Sequence, residues 1–416
     1  MHVLIMESLL YLYQYQLQKF INASEIYQLG VAYEWKDEDV YHAYLEYPQI
    51  APSGYANGCL FLKVQNKADF DNAESFVDNQ KKSNTTFAQL GIVIVFWLED
   101  GLLLKRAFTP NDSTRQIRIE YVPDKSNLYT RSKGLIEVGV LGRKNVLIVG
   151  LGSGGAIIAV ELAKAGVGNF VLVDFDRLEL HNISRHIAGV NELGRLKTNI
   201  VRDAILSKNP YANISTYPID ILEGTSIIER LVFETDLVIV ATDSLSSRYL
   251  LNSLIIKDKK VGLFGRAITR AEGGDVLRVR PGGPCYACLK GSQWYTQEEE
   301  ITDLRRARET GVIPAYTSEE DANAMVQVGL STDIAPINTM VVKLAIQELS
   351  RGTECLISTL DEELNYDFYM WANRRELHFA NWAPFNNNPG RKKPTILQWY
   401  GVKFSKSCDC HECKNY

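Results

Sequence analysis

A glycine-rich turn set between an apolar run and an amphipathic one constrains this chain more than any other feature. Val146–Val149 is apolar, Gly150-Leu-Gly152-Ser-Gly-Gly155 follows, and Ala156–Ala165 continues with helical spacing. A GxGxxG turn is informative in that strand–turn–helix setting. Its first two glycines, Gly150 and Gly152, let backbone approach a nucleotide, and the helix opening at Gly155 offers N-terminal amides to a polyanion. Asp174 closes the next apolar run, Phe170–Val173, where a Rossmann strand presents its acid to a ribose hydroxyl. These features alone specify a dinucleotide or nucleotide site. Asn182, Arg185 and Lys197 follow closely, and they move the expectation to a triphosphate, since a redox cofactor needs no such cluster.

Strand candidates continue at Asn213–Pro218, Leu237–Ala241 and Val261–Phe264, with helix candidates at Thr198–Lys208 and Ser246–Ile256. Strands alternating with helices of this length predict an α/β fold with a doubly wound, Rossmann-like, mainly parallel sheet. The ligand crevice of such a sheet lies beyond the C-terminal strand ends, where Gly150, Asp174 and Asp243 all fall. Residues 1–127 are expected to form a separate N-terminal α+β domain. Within it Leu10–Ile21 reads as helix, Cys59–Val64 and Gly91–Trp97 as buried strands, and Arg115–Val122 as an alternating strand. It carries no chemical motif, so docking of an acceptor or partner is its expected role. Residues 128–416 form the second domain, with a polar crossover at 289–333 and a helix candidate at Gln297–Arg308. Beyond lie a helix at Ile334–Leu349, with Pro336 in its first turn, and short strands at Asp367–Trp371 and Arg375–Phe379.

Charge is near balance, 45 basic against 50 acidic residues in 416, so no broad field for nucleic acid or a membrane surface is implied. No apolar run approaches bilayer-spanning length. Met1–Leu12 lacks the basic front and small-residue cleavage site of a signal and reads as folded protein. Seven cysteines are too sparse for a secreted disulfide framework, so a cytoplasmic protein is expected. Cys285-x-x-Cys288 and Cys410-x-x-Cys413 have the type and spacing of a structural four-thiolate zinc site. The long separation makes that site a staple of the C-terminal region. Cys408 and His411 crowd the second pair and are alternative ligands.

Several motifs occur in a specific order. They are Tyr129-Thr-Arg131, the glycine loop, Ala165-Gly-Val-Gly, Asp174-Phe-Asp176, Asn182-Ile-Ser-Arg185-His186, Gly194-Arg-Leu-Lys197, Ala241-Thr-Asp243 and Pro284-Cys-Tyr-Ala-Cys288. On this ordered set, the segment 128–350 resembles the ThiF/MoeB/HesA-type adenylyltransferases of the ubiquitin-activating-enzyme-like superfamily, of bacterial ubiquitin-like conjugation type. The resemblance implies ATP-dependent adenylation of the C-terminal carboxylate of a ubiquitin-like or sulfur-carrier protein, with Mg2+ and Zn2+ as cofactors and a downstream conjugating enzyme as partner. By the same resemblance Asp174 accepts from the ribose, and Asn182, Arg185 and Lys197 bind the triphosphate. Asp243, supported by Asp176, holds Mg2+. Arg131 matches an arginine that reaches the neighbouring subunit's phosphates, which implies a homodimer. His186 stands where many relatives carry Gln and is read as structural support.

Family members with a later transfer step often carry a nucleophilic cysteine in the crossover. Residues 289–354 contain no cysteine, and Cys59 and Cys355 read as structural thiols. Adenylation is therefore better supported than a thioester step. Two further readings stay open: adenylation of a peptide C-terminus, as microcin-type adenylyltransferases perform, and a non-catalytic scaffold. An NAD-dependent oxidoreductase satisfies the glycine turn but leaves the phosphate cluster and the cysteine pairs unexplained.

Overall fold

The computed structural model describes residues 8–48, 51–82, 87, 89–112, 117–122, 125–132, 134–135, 137–268, 271–292, 308, 314, 316, 318, 329–353, 358–374, 397–407 and 409–414. The expected elements at Gln297–Arg308 (Arg308 apart) and Arg375–Phe379 lie outside these residues, as do Cys355 and Cys408. The chain divides into two compact units, Met1–Thr130 and Arg131–Tyr416.

The first unit contains strands β1 (Ser8–Tyr13), β2 (Tyr27–Trp35), β3 (Val40–Tyr44), β4 (Tyr55–Val64), β5 (Leu90–Glu99), β6 (Leu102–Phe108) and β7 (Ile117–Val122). They form a mixed sheet in the order β6-β5-β4-β2-β3-β1-β7. Helix α1 (Gln14–Asn22) packs Leu17 and Phe20 into a core with Leu10, Leu12, Phe61 and Phe96. Helices α2 (Lys67–Asp71) and α3 (Ala73–Lys81) accompany a second cluster around Leu60, Val77 and Val95. The helix expected at Leu10–Ile21 is corrected: Ser8–Tyr13 is a strand that pairs in parallel with both β3 and β7. Its residues alternate between buried and half-buried, and the apolar period of two passes into helical spacing only at Gln14.

Short helix α4 (Lys125–Leu128) lies near the end of the first unit; in the second, short helix α5 (Val138–Leu141) precedes an eight-stranded sheet. Its strands are β8 (Asn145–Val149), β9 (Asn169–Val173), β10 (Asn213–Tyr217), β11 (Leu237–Val240), β12 (Val261–Ile268), β13 (Gly273–Val279), β14 (Phe368–Ala372) and β15 (Gln398–Val402). The order is β10-β9-β8-β11-β12-β13-β14-β15. The first five in that order run parallel, while β13, β14 and β15 add an antiparallel arm. The expectation of a mainly parallel sheet therefore holds for β8 to β12, and the arm departs from it. The order reverses between β8 and β11, which is where a sheet of this kind opens its crevice.

Both faces of the parallel strands are covered. Leu147, Val149, Val238 and Val240 point to one side, against α8 (Thr225–Glu234), α9 (Leu245–Lys257), α10 (Tyr286–Lys290) and the paired cysteines. Val146, Ile148, Leu237 and Ile239 point to the other, against α6 (Gly155–Ala165), α7 (Lys197–Lys208) and α11 (Ser331–Ser350). Side chains alternate along a strand, so a strand buried on both faces reads as an unbroken apolar run. The expectation for Pro336 is corrected: α11 starts at Ser331, so Pro336 is its sixth residue and removes the helix bond its N–H would make to the Thr332 carbonyl.

Candidate active site

The turn after β8 is built by close backbone approach. Gly150 has φ +87°, and a Cβ there would stand 2.7 Å from the Ala241 carbonyl oxygen at the end of β11. A Cβ on Gly155 would collide with the Gly150 carbonyl oxygen. Gly152 differs: it lines a cleft, and nothing lies within 4 Å of the place a Cβ would take. The missing side chain there leaves room for a ligand against the backbone. From α11, buried Asn338 donates through Nδ2 to the Ser153 carbonyl at 3.3 Å. Sequence reasoning passed over Asn338; the available signal was one amide on an otherwise apolar helix face.

Acids and bases converge on this cleft. Asp174 Oδ2 accepts from the Leu151 amide at 2.6 Å and Oδ1 from the Asp176 amide at 2.8 Å, so the carboxylate ties the end of β9 to the glycine turn. Burial lifts the Asp174 carboxyl above its ordinary range, against the pull of Lys197 and these amides. Lys197 opens α7 and is 7% exposed, its Nζ donating to Asp176 Oδ2 at 2.7 Å. Burial pulls its ammonium down, but Asp174, Asp176 and Asp243 outweigh that and hold it above the usual lysine value.

A short turn at Leu180–Asn182 sets the next two residues. Asn182 Oδ1 accepts from the Glu179 amide at 3.0 Å, and its carbonyl accepts from the Arg185 and His186 amides. Arg185 lines the cleft half-buried, and its guanidinium makes no hydrogen bond or ion pair with any described residue. Asp243 is exposed at the end of β11 and also lines the cleft. Gly150, Gly152, Asp174, Asp176, Asn182, Arg185, Lys197 and Asp243 are thus brought together. Gly155 stands behind them as the first residue of α6. Arg131 is exposed in a short turn at Thr130–Ser132 and is not among the lining residues. Ile219, Asp220, Ile221 and Leu222 add a wall that sequence reasoning did not name; the rule that pointed to Asp174 applies equally to the end of β10.

The two cysteine pairs meet across 125 residues. Sγ separations are 3.8 Å for Cys285–Cys288, 3.6 Å for Cys285–Cys410 and 3.4 Å for Cys288–Cys413. All four sulfurs lie within 4.8 Å of one another and are buried. A tetrahedral four-thiolate ion with ~2.3 Å bonds needs sulfurs about 3.8 Å apart, so the donor set fits one. The Ser407 amide donates to Cys288 Sγ at 3.5 Å. Burial pushes the Cys285 thiol up to about 12, with Cys288 and Cys410 adding to the rise. Burial works against ionisation of Cys410 too, yet the Cys413 and Glu412 amides bring it below the usual thiol value. His411 is exposed and outside the cluster.

The profile of the ThiF family matches residues 129–387, more than half of the chain. The chain belongs to the ThiF family. Among curated relatives, the Molybdopterin-synthase adenylyltransferase of Escherichia coli (strain K12) is 38% identical over 146 residues, 35% of this chain and 57% of that protein. The Adenylyltransferase and sulfurtransferase MOCS3 of Culex quinquefasciatus is 33% identical over 167 residues, 39% of this chain and 37% of that protein. The matched region thus spans about half or less of these relatives. Among solved structures, E. coli MccB with ATP matches at a TM-score of 0.46 and 16% identity, over 66% of this chain and 68% of that one. That likeness is too low to add weight.

Three further side chains resolve into supporting roles. Arg266 pairs with Asp275 directly across β12 and β13, at 2.5 Å and nearly buried. Cys59 is fully buried in the first unit. His186 Nδ1 accepts from the Ala188 amide at 3.1 Å, so the proton sits on Nε2, which donates to the Leu151 carbonyl at 2.9 Å. The neutral ring therefore braces the glycine turn. Burial, with Lys197 nearby, depresses its pKa below the ordinary 6.5, although the Leu151 bond opposes the fall. Below that value the unfolded chain takes up a proton that the folded one resists, so stability present above pH 6.5 is lost as pH falls. Urea unfolding on either side of that pH should show the loss, and His186→Gln should abolish its share. A slope unchanged in that variant would show that His186 does not contribute.

Proposed function

We propose that this protein uses ATP to adenylate the C-terminal carboxylate of a ubiquitin-like or sulfur-carrier protein. The observation that carries the reading is one cleft combining a glycine cradle open at Gly152, a buried Lys197 and an Arg185 with no partner among the described residues. In the reaction, an acceptor carboxylate oxygen bonds to the α-phosphorus. The bond from that phosphorus to the bridging oxygen breaks, and pyrophosphate leaves with the electron pair. Lys197 and Arg185 stabilise the charge that develops on the phosphoryl oxygens and the leaving group. Asn182, with Oδ1 engaged by Glu179, keeps Nδ2 for a phosphate oxygen. Each Asp174 oxygen accepts one amide and has a further lone pair for a ribose hydroxyl.

The five acids lining the cleft, Asp174, Asp176, Glu179, Asp220 and Asp243, outnumber its three cations, Arg177, Arg185 and Lys197, so the bare cleft does not favour a triphosphate. Their oxygens suit a hard cation; Mg2+ held at Asp243, with Asp176 in support, would screen the triphosphate and polarise its oxygens. Omitting Mg2+ should weaken ATP binding by about ten-fold or more, and equal affinity with and without it would remove this assignment. For the four thiolates we infer Zn2+, from the all-sulfur donor set and its spacing.

By the family resemblance Arg131 would reach a neighbouring subunit's phosphates, and a homodimer is part of the proposal. Arg131→Ala and Arg185→Ala proteins, each inactive alone, should regain about a quarter of wild-type activity when mixed and allowed to exchange subunits. No recovery in a confirmed mixed dimer would place Arg131 outside the site. The first unit is proposed to dock the acceptor, and the reduced cysteine set suits the cytoplasm.

The lack of cysteine in residues 289–354 favours a second reading, adenylation of a peptide C-terminus without transfer to the enzyme. Mass spectrometry of the protein with ATP and candidate acceptors separates the two. AMP added to a carrier ending in glycine supports the first, AMP added only to short peptides supports the second, and AMP on neither contradicts both.

A further inference from the structure

One helix touches both the nucleotide cleft and the cysteine cluster. At its start, Ser244 caps α9, its Oγ accepting from the Ser247 amide at 3.4 Å. Ser247 Oγ donates to Thr242 Oγ1 at 2.8 Å, and buried Arg248 donates through Nε to the Thr242 carbonyl at 2.8 Å. Asp243 lies between Thr242 and Ser244, so the first turn of α9 holds the Asp243 loop from both sides.

One to two turns further on, the same helix holds both cysteine pairs. Fully buried Asn252 accepts through Oδ1 from the Tyr286 amide at 2.9 Å, next to Cys285. Ser253 Oγ donates to Glu412 Oε2 at 2.6 Å, between Cys410 and Cys413. Tyr286 then stacks on Phe264 of β12 with ring centres 5.1 Å apart. These bonds cross from helix to both cysteine knuckles, and a helix transmits displacement along its axis better than a loop does.

We propose that Asn252 and Ser253 are positioning residues through which the four-thiolate centre sets the place of the Asp243 loop. A filled centre fixes the two knuckles relative to each other, and the bonds to Asn252 and Ser253 carry that fixity to α9. An empty or broken centre frees the second knuckle, leaving α9 and the Asp243 loop looser. The proposal rests on the nucleotide and metal readings above, and its test separates them.

Amide hydrogen exchange at residues 241–257, metal content and Mg2+·ATP affinity are measured together on the full chain. Wild type, metal-stripped protein, Ser253→Ala and Ser253→Thr are compared. Ser253→Ala should keep its metal yet exchange about three- to ten-fold faster at the Asp243 loop, with ATP affinity falling by a similar factor. Ser253→Thr, which retains the hydroxyl, should stay close to wild type. Stripped protein should show the larger change, and re-addition of Zn2+ should reverse it. Unchanged exchange at 241–247 in both the stripped protein and Ser253→Ala overturns the proposal. Should stripping unfold the domain, Ser253→Ala alone decides. A wild type that binds no ATP while exchange still responds to Zn2+ would sink the nucleotide reading and leave the coupling standing; a chain that takes up no metal sinks the coupling.

Discussion

Arg185→Ala and Asp243→Ala should each lower ATP–pyrophosphate exchange by about a thousand-fold, with the unfolding midpoint unchanged. Arg185 lines the cleft, and its guanidinium has no partner among the described residues. Removing it therefore breaks no bond to a described residue. On the proposed reading Arg185 meets charge that grows as the triphosphate splits, so kcat should fall more than ATP affinity does. Asp243 is exposed at the cleft, and its loss should also remove the Mg2+ dependence of binding. Lys197→Ala is the less clean experiment. Its ammonium is buried against Asp176, so its removal leaves carboxylates uncompensated and lowers stability as well. Wild-type exchange in either of the first two variants would remove these residues from the site.

Gly155→Ala should destabilise the second unit by about 3–5 kcal/mol. The added methyl meets the Gly150 carbonyl, with the Ala241 Cβ also within 4 Å. A backbone carbonyl cannot be cleared by a rotamer change. Gly152→Ala makes the useful contrast. Its methyl enters open space, so stability should be unchanged while ATP affinity drops by about ten-fold. Chemical denaturation and nucleotide titration of the two variants would show opposite patterns. Equal stability loss in both would mean that the cleft side of the turn is packed, not open.

The strand–turn–helix unit, the acids at strand ends and the two cysteine pairs were legible because each is encoded locally. Gly150 to Gly155 is a contiguous motif, and Asp174 and Asp243 each follow an apolar run. What escaped was settled by partners distant in sequence. Leu10 and Leu12 suit a helix or a strand equally well, and pairing with β3 and β7 decides for the strand. The antiparallel arm escaped because β14 and β15 are set by the neighbours they reach, not by their own short sequences. Asn338 and Arg248 look ordinary in sequence; they matter because helices α11 and α9 bring them against the Ser153 and Thr242 carbonyls. Arg266 could not be placed from sequence because its partner, Asp275, is supplied by the next strand.

Calorimetric titration of wild type and Arg185→Ala with Mg2+·ATP, alongside NAD+, tests most directly whether the cleft is built for a triphosphate. Wild type should bind ATP only with Mg2+ present, Arg185→Ala should bind it more weakly, and NAD+ should give no heat in either. Tight NAD+ binding, or ATP binding indifferent to both Mg2+ and Arg185, would contradict it.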